Sequence, residues 1–68
     1  MNRGSVISSN IESVGYEDRT LEIAFVDGGI YQYLGVSISI YQGLMSASSK
    51  GSYFHHFIKD KYKTIRVA

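Results

Sequence analysis

Cysteine is absent from this chain, so neither disulfides nor a thiolate zinc site can reinforce it, and nothing argues for an oxidising compartment. Long apolar runs are missing too. No stretch approaches the ~20 residues of a membrane span, and the start, Met1-Asn2-Arg3-Gly4-Ser5-Val6-Ile7-Ser8-Ser9, lacks the apolar core of a signal peptide. The expected setting is a reduced cytoplasm, with no membrane partner. There is no internal repeat, linker or low-complexity stretch. A chain of this length buries only about 60% of its unfolded surface and has no material for a second core. Residues 1–68 therefore read as one domain, with 1–10 and 64–68 as candidates for poor order.

Catalytic chemistry is equally scarce. The two histidines, His55 and His56, are adjacent in a segment with helical spacing, where neighbours point about 100° apart and do not converge on one atom or one metal. The acids Glu12, Glu17, Asp18, Glu22 and Asp27 are scattered over turns and the polar side of a strand, as solvated carboxylates are. Ser48-Ser49-Lys50-Gly51-Ser52 has a passing likeness to a phosphate loop, but the Gly-x-x-x-x-Gly-Lys-Ser/Thr order is missing. The expectation is a non-enzyme with no catalytic residue, no metal and no cofactor.

The formal charge of +1 conceals a gradient. Through residue 49, Arg3 and Arg19 stand against five acids; from residue 50 onward, Lys50, Lys59, Lys61, Lys63 and Arg66 stand against Asp60 alone. A basic C-terminal third suits phosphates or an acidic partner, or equally a solvated helix face.

Strands come first along the chain. Ile11 to Tyr16 places Val14 and Tyr16 on one side, and Leu21, Ile23 and Phe25 alternate with Thr20, Glu22 and Ala24 in the period of a half-buried strand. Glu17-Asp18-Arg19 reads as the turn between them. After Val26-Asp27-Gly28-Gly29, rich in positive-φ candidates, Ile30 to Leu34 forms a third strand. From Ser37, a candidate N-cap, Ile40, Tyr41 and Leu44 recur at helical spacing. Gly51 is the expected left-handed residue past that helix, and Ser52 the expected cap of a second helix over Tyr53–Tyr62 with Phe54, Phe57 and Ile58 as its stripe. The resulting class is α+β, with order β-β-β-α-α. A three-stranded antiparallel meander carries two short helices on one face over Leu21, Ile23, Phe25, Leu44, Phe54 and Ile58, and Thr64–Ala68 is either a short edge strand or a loose end.

Tyr31 and Tyr33 share one face of the third strand, and which face depends on one residue of the preceding loop. A two-residue loop puts them opposite Ile23 and Phe25, free to stack nucleobases; the three-residue loop Val26-Asp27-Gly28 aligns them with Ile23 and Phe25 as core. At the start of the second helix, free N–H groups beside Lys50, Gly51 and Ser52 suit an anion.

The motifs Ser13-Val14-Gly15-Tyr16, Leu21-x-Ile23-x-Phe25, Gly28, Tyr31-x-Tyr33, Val36, Tyr41 and Ala47-Ser48-Ser49-Lys50-Gly51-Ser52-Tyr53-Phe54, with Ile58 and Tyr62, fall in one order across nearly the whole chain. In this the chain resembles the KTSC domain family, named for the C-terminal extension of some lysyl-tRNA synthetases and also found as free-standing small proteins. Two positions depart from the family pattern: Ser37 stands where a proline is usual, and His55 where an asparagine commonly follows Tyr-Phe. The resemblance implies RNA binding and no catalytic residue. The leading expectation is an RNA-binding module in which Tyr31 and Tyr33 stack bases while Lys50, Gly51, Ser52, Lys59, Lys61, Lys63 and Arg66 meet phosphates. The alternative is a protein-interaction module or homodimer using the open sheet face or an edge strand.

Overall fold

The computed structural model describes all of residues 1–68. The chain runs β1 (Gly4–Ser5), β2 (Ile11–Glu17), β3 (Thr20–Phe25), β4 (Ile30–Leu34), α1 (Ile38–Ser46), α2 (Lys50–Phe57) and β5 (Lys63–Arg66). The strands form a single antiparallel sheet in the order β1-β2-β3-β4-β5. The fold is thus α+β, but the expected three-stranded meander becomes a five-stranded sheet with four strands ahead of the helices. The additional leading strand pairs Gly4 with Val14 and Ser5 with Ser13.

Two tight turns set the register. Asp18 and Arg19, both at positive φ (50° and 61°), join the paired residues Glu17 and Thr20 as a two-residue turn whose twist matches its strands. Between β3 and β4, Phe25 N–H donates to Gly29 C=O at 2.8 Å and Gly28 N–H donates to Phe25 C=O at 2.9 Å, with Gly28 at φ 104°. The loop is therefore the three-residue Val26-Asp27-Gly28. Ile23 pairs with Tyr31 and Leu21 with Tyr33, so both tyrosines share the helix-covered face.

A bulge at Glu12 decides what β2 buries. Ile11 pairs with Phe25 and Ser13 with Ala24, so the register shifts by one residue between them. That shift brings Ile11 onto the same face as Val14 in spite of their opposite parity. Ile11, Val14, Leu21, Ile23, Tyr33, Val36, Leu44 and Ile58 form the core, with Phe25 and Phe54 half-buried at its edge. Tyr16 locks the entry to α1: its hydroxyl donates to Val36 C=O at 2.6 Å and its ring stacks on Tyr41 at 4.9 Å.

The second helix departs from its expected limits. It begins at Lys50, because the Ser49 hydroxyl accepts the Ser52 N–H at 3.3 Å and caps it, and Gly51 lies inside its first turn instead of ending α1 in a left-handed conformation. It ends at Phe57: the Ile58 and Lys59 N–H groups both turn back to Phe54 C=O, and Asp60 at φ 62° redirects the chain into β5. Ser37 stands at the N-cap of α1 without a side-chain capping bond; its hydroxyl meets that of Ser39. Gly43 is where the helices touch, because the Tyr53 ring and hydroxyl occupy the space a Cβ there would need.

Candidate functional site

The helices do not reach across the whole sheet. Between α2, the turn after β3 and the segment leading into β2 lies a cleft of about 760 Å³ lined by Asn10, Phe25, Gly51, Ser52, Phe54 and Lys59 among others. A second depression shares Phe25, Asp27, Phe54 and Lys59 with it and continues past Tyr31 to Asp60 and Thr64. Together they make one continuous groove, from the first turn of α2 to the exposed end of the sheet.

Aromatic edges form its floor. Phe25 meets Tyr31 at 5.8 Å and Phe54 at 5.3 Å, both edge to face. Tyr31 is half-buried, and the Arg66 guanidinium lies 5.5 Å from its ring centroid, within cation–π range. Tyr33 is different. It is 4% exposed and packs edge to face on Phe54 at 5.6 Å, so although it contributes to the wall of the second depression it offers too little surface for a nucleobase to stack on. Its expected stacking role is corrected on that ground: the three-residue loop turns it into the core. Burial, with lesser contributions from Tyr31 and Asp60, pushes its hydroxyl up to about 12.

The seven remaining candidates are scattered. Lys59 lines both parts of the groove, and Arg66 stands on the Tyr31 face of β5. Lys63, three residues from Arg66, pairs with Leu34 and lies on the opposite face, away from Tyr31. Lys61 is exposed in the turn after α2. Lys50 is engaged elsewhere, its ammonium donating to Ala47 C=O at 3.1 Å behind α1. Gly51 and Ser52 do line the groove, although the Ser52 N–H is already held by Ser49. The sequence pattern puts Phe25 and Phe54 wholly in the core, and marks Asp27 only as a turn residue and Asn10 not at all, yet all four line this cleft. A cleft made by three separate segments has no periodic signal. His55 and His56 are both exposed on α2, their rings 5.8 Å apart.

The outer sheet face holds the one strong ion pair. Arg3 Nη1 donates to Glu22 Oε2, Gln32 Nε2 donates to Glu22 Oε1 at 2.8 Å, and Arg3 Nε donates to Ser13 Oγ at 3.0 Å. Burial alone would push the Glu22 carboxyl upward; the Gln32 and Arg3 hydrogen bonds and the Arg3 charge outweigh it and hold the group below the usual carboxylate range. No helix is long and apolar enough to cross a membrane.

Known proteins share this architecture. The crystal structure of a KTSC domain protein from Yersinia pestis superposes with a TM-score of 0.95 at 45% identity, over 98% of this chain and 97% of that one. An uncharacterised protein of Stutzerimonas stutzeri is 34% identical over 64 residues, covering 91% of this chain and 90% of its own. A lysine–tRNA ligase of Trichormus variabilis is 42% identical over 57 residues, which is 81% of this chain and 10% of the ligase. The chain thus spans about a tenth of the ligases it matches. The model of the KTSC domain matches residues 7–62, and the chain belongs to the KTSC domain family.

Proposed function

We propose that this chain is a non-enzymatic binding module whose ligand is single-stranded RNA, taken up along the groove between α2 and the β3–β4 hairpin. The observation that carries this reading is the grouping of Phe25, Tyr31 and Phe54 in one groove, with Lys59 lining it beside Asp27 and Asp60 and the Arg66 guanidinium over the Tyr31 ring. Aromatic edges flanked by cations suit bases with their phosphates, and each stacked base typically contributes ~1–3 kcal/mol. A segment 42% identical occurs in lysine–tRNA ligases, proteins named for a tRNA substrate, which adds support. Tyr33, Lys50 and Lys63 drop out of the interface.

The test is an NMR titration of the labelled chain with short single-stranded RNA at low and physiological salt. Saturable shifts are expected at Phe25, Tyr31, Phe54 and Lys59. With two phosphates neutralised, the log–log salt slope is about −1.4, and Lys59→Ala reduces it by about 0.7. Absence of shifts at millimolar RNA sinks the reading.

A second reading rests on the outer face, where Ile65 and Val67 are 42% and 48% exposed on the free-edged side of the sheet. A protein partner or second copy would cover them. Sedimentation showing a strict monomer at high concentration removes the dimer form of it.

A further inference from the structure

Glu22 lies on the face of β3 turned away from the helices, where a carboxylate ordinarily meets water, yet it is 6% exposed. What covers it is the chain's own beginning. One Arg3 guanidinium reaches two strands at once, giving Nη1 to Glu22 on β3 and Nε to Ser13 on β2, while Gln32 on β4 fixes the second Glu22 oxygen. The planar fork of a guanidinium makes this pair of bonds; a compact ammonium has no equivalent. The floor between these strands is Gly15. A Cβ built there would lie 2.5 Å from the Asn2 carbonyl oxygen and 3.1 Å from Arg3 Cγ, so the crossing segment uses the space a side chain would fill.

The receiving surface and its occupant are separable along the chain. Ser13, Gly15, Glu22 and Gln32 lie on β2, β3 and β4, whereas Asn2–Ser5 form a separate leading segment joined to β2 through residues 6–10, which belong to no helix or strand. The occupant is held as an added strand: two backbone pairs with β2, one arginine pocket, and an exposed far side. That combination of main-chain pairing and one specificity pocket is how sheet edges recognise extended peptides.

We infer that Ser13, Gly15, Glu22 and Gln32 form a binding site for an arginine-bearing extended peptide, filled here by Asn2-Arg3-Gly4-Ser5 and open to an arginine segment of a partner protein once that strand lifts. Glu22 and Ser13 select the guanidinium, and Gly15 admits the peptide backbone. Gly4 has nothing within 4 Å of the position its Cβ would take, so the residue after the arginine is unrestricted. The site occupies the opposite sheet face from the aromatic groove and stands independently of the RNA reading.

The test uses the full chain carrying Arg3→Ala, labelled for NMR and titrated with a capped Asn-Arg-Gly-Ser peptide and, separately, its Asn-Lys-Gly-Ser counterpart. Saturable shifts are expected at the Ser13, Gly15 and Glu22 amides and the Gln32 side-chain amide. The arginine peptide should bind at least roughly fivefold tighter than the lysine peptide. It should also bind about tenfold more weakly to the parent chain, where Arg3 competes, and adding Glu22→Gln should abolish the response. Should Arg3→Ala fail to fold, Arg3→Lys retains a cation over Glu22 and is titrated to the same criteria. No shifts at millimolar peptide, or equal binding of the two peptides, overturns the inference.

Discussion

Gly15→Ala sets two effects of opposite sign against each other. On an unobstructed strand alanine gains roughly 0.5–1 kcal/mol over glycine, because less backbone freedom is lost on folding. Here the new Cβ would approach the Asn2 carbonyl oxygen to 2.5 Å, and since the obstacle is backbone, the segment before β1 must move. Moving it frees Arg3 from Ser13 and Glu22 and leaves a carboxylate that is 6% exposed with Gln32 alone. Charge-assisted hydrogen bonds contribute ~1.5–3 kcal/mol. The Arg3 side chain is 26% exposed, and water enters as the strand lifts, which holds the combined loss of its two bonds to about 2–2.5 kcal/mol, below the sum of two full charge-assisted bonds. After subtracting the propensity gain, the net destabilisation is about 1–2 kcal/mol. In a domain of this size each kcal/mol moves Tm by about 4–8 °C, so Gly15→Ala should melt roughly 5–15 °C below the parent by circular dichroism at pH 7. With Arg3→Ala already present, the same substitution should cost less than about 0.5 kcal/mol, a coupling that a double-mutant cycle reads directly. Additive losses, or a higher Tm for Gly15→Ala in the parent chain, would refute the reasoning.

Replacing Asp18-Arg19 by Asn-Gly should raise stability by ~1 kcal/mol in urea melts, because both positions have positive φ and the Arg19 side chain makes only an exposed 3.3 Å bond to Gly35 C=O; a lower urea midpoint would contradict this. For Tyr33 the unfolded chain ionises near 10.0 and the folded one near 12, so the unfolded state releases its proton first and stability falls as pH rises through that interval. Tyr33→Phe should therefore lose roughly 1 kcal/mol less than the parent between pH 9 and pH 11, and identical alkaline limbs would count against the burial argument.

The meander was legible because β3 alternates without interruption and its turns carry suitable residues, but several features had no local signature. Ile11 and Val14 have opposite parity and belong to one core only through the bulge at Glu12. The first strand is two residues long, too short for periodicity, and is held by Arg3 across the sheet. The start of α2 falls three residues before the expected one because Ser49 and Ser52 are both plausible caps, and which one acts depends on where Ala47 leaves α1. The candidate site dispersed for a similar reason. Clustering of cations in sequence ignores strand parity, which sends Lys63 and Arg66 to opposite faces, and Lys50 is drawn into a backbone contact.

Arg66 offers the sharpest discrimination within the proposed RNA groove. Its guanidinium lies over Tyr31, so one face of that ring is already covered, and a base reaching it has to stack on the far side of the guanidinium plane. A planar cation can serve as the middle layer of such a stack, whereas an ammonium cannot. Arg66→Lys would then behave unlike a conservative change. It keeps the charge, so the salt slope should stay as in the parent, but affinity for single-stranded RNA should fall about tenfold with the lost stack. Arg66→Ala should show the same loss and, in addition, a slope smaller by about 0.7. If Arg66 merely faced a phosphate, the lysine variant would bind within about twofold of the parent. That result would leave Phe25 and Phe54, without Tyr31, as the surfaces available to a base.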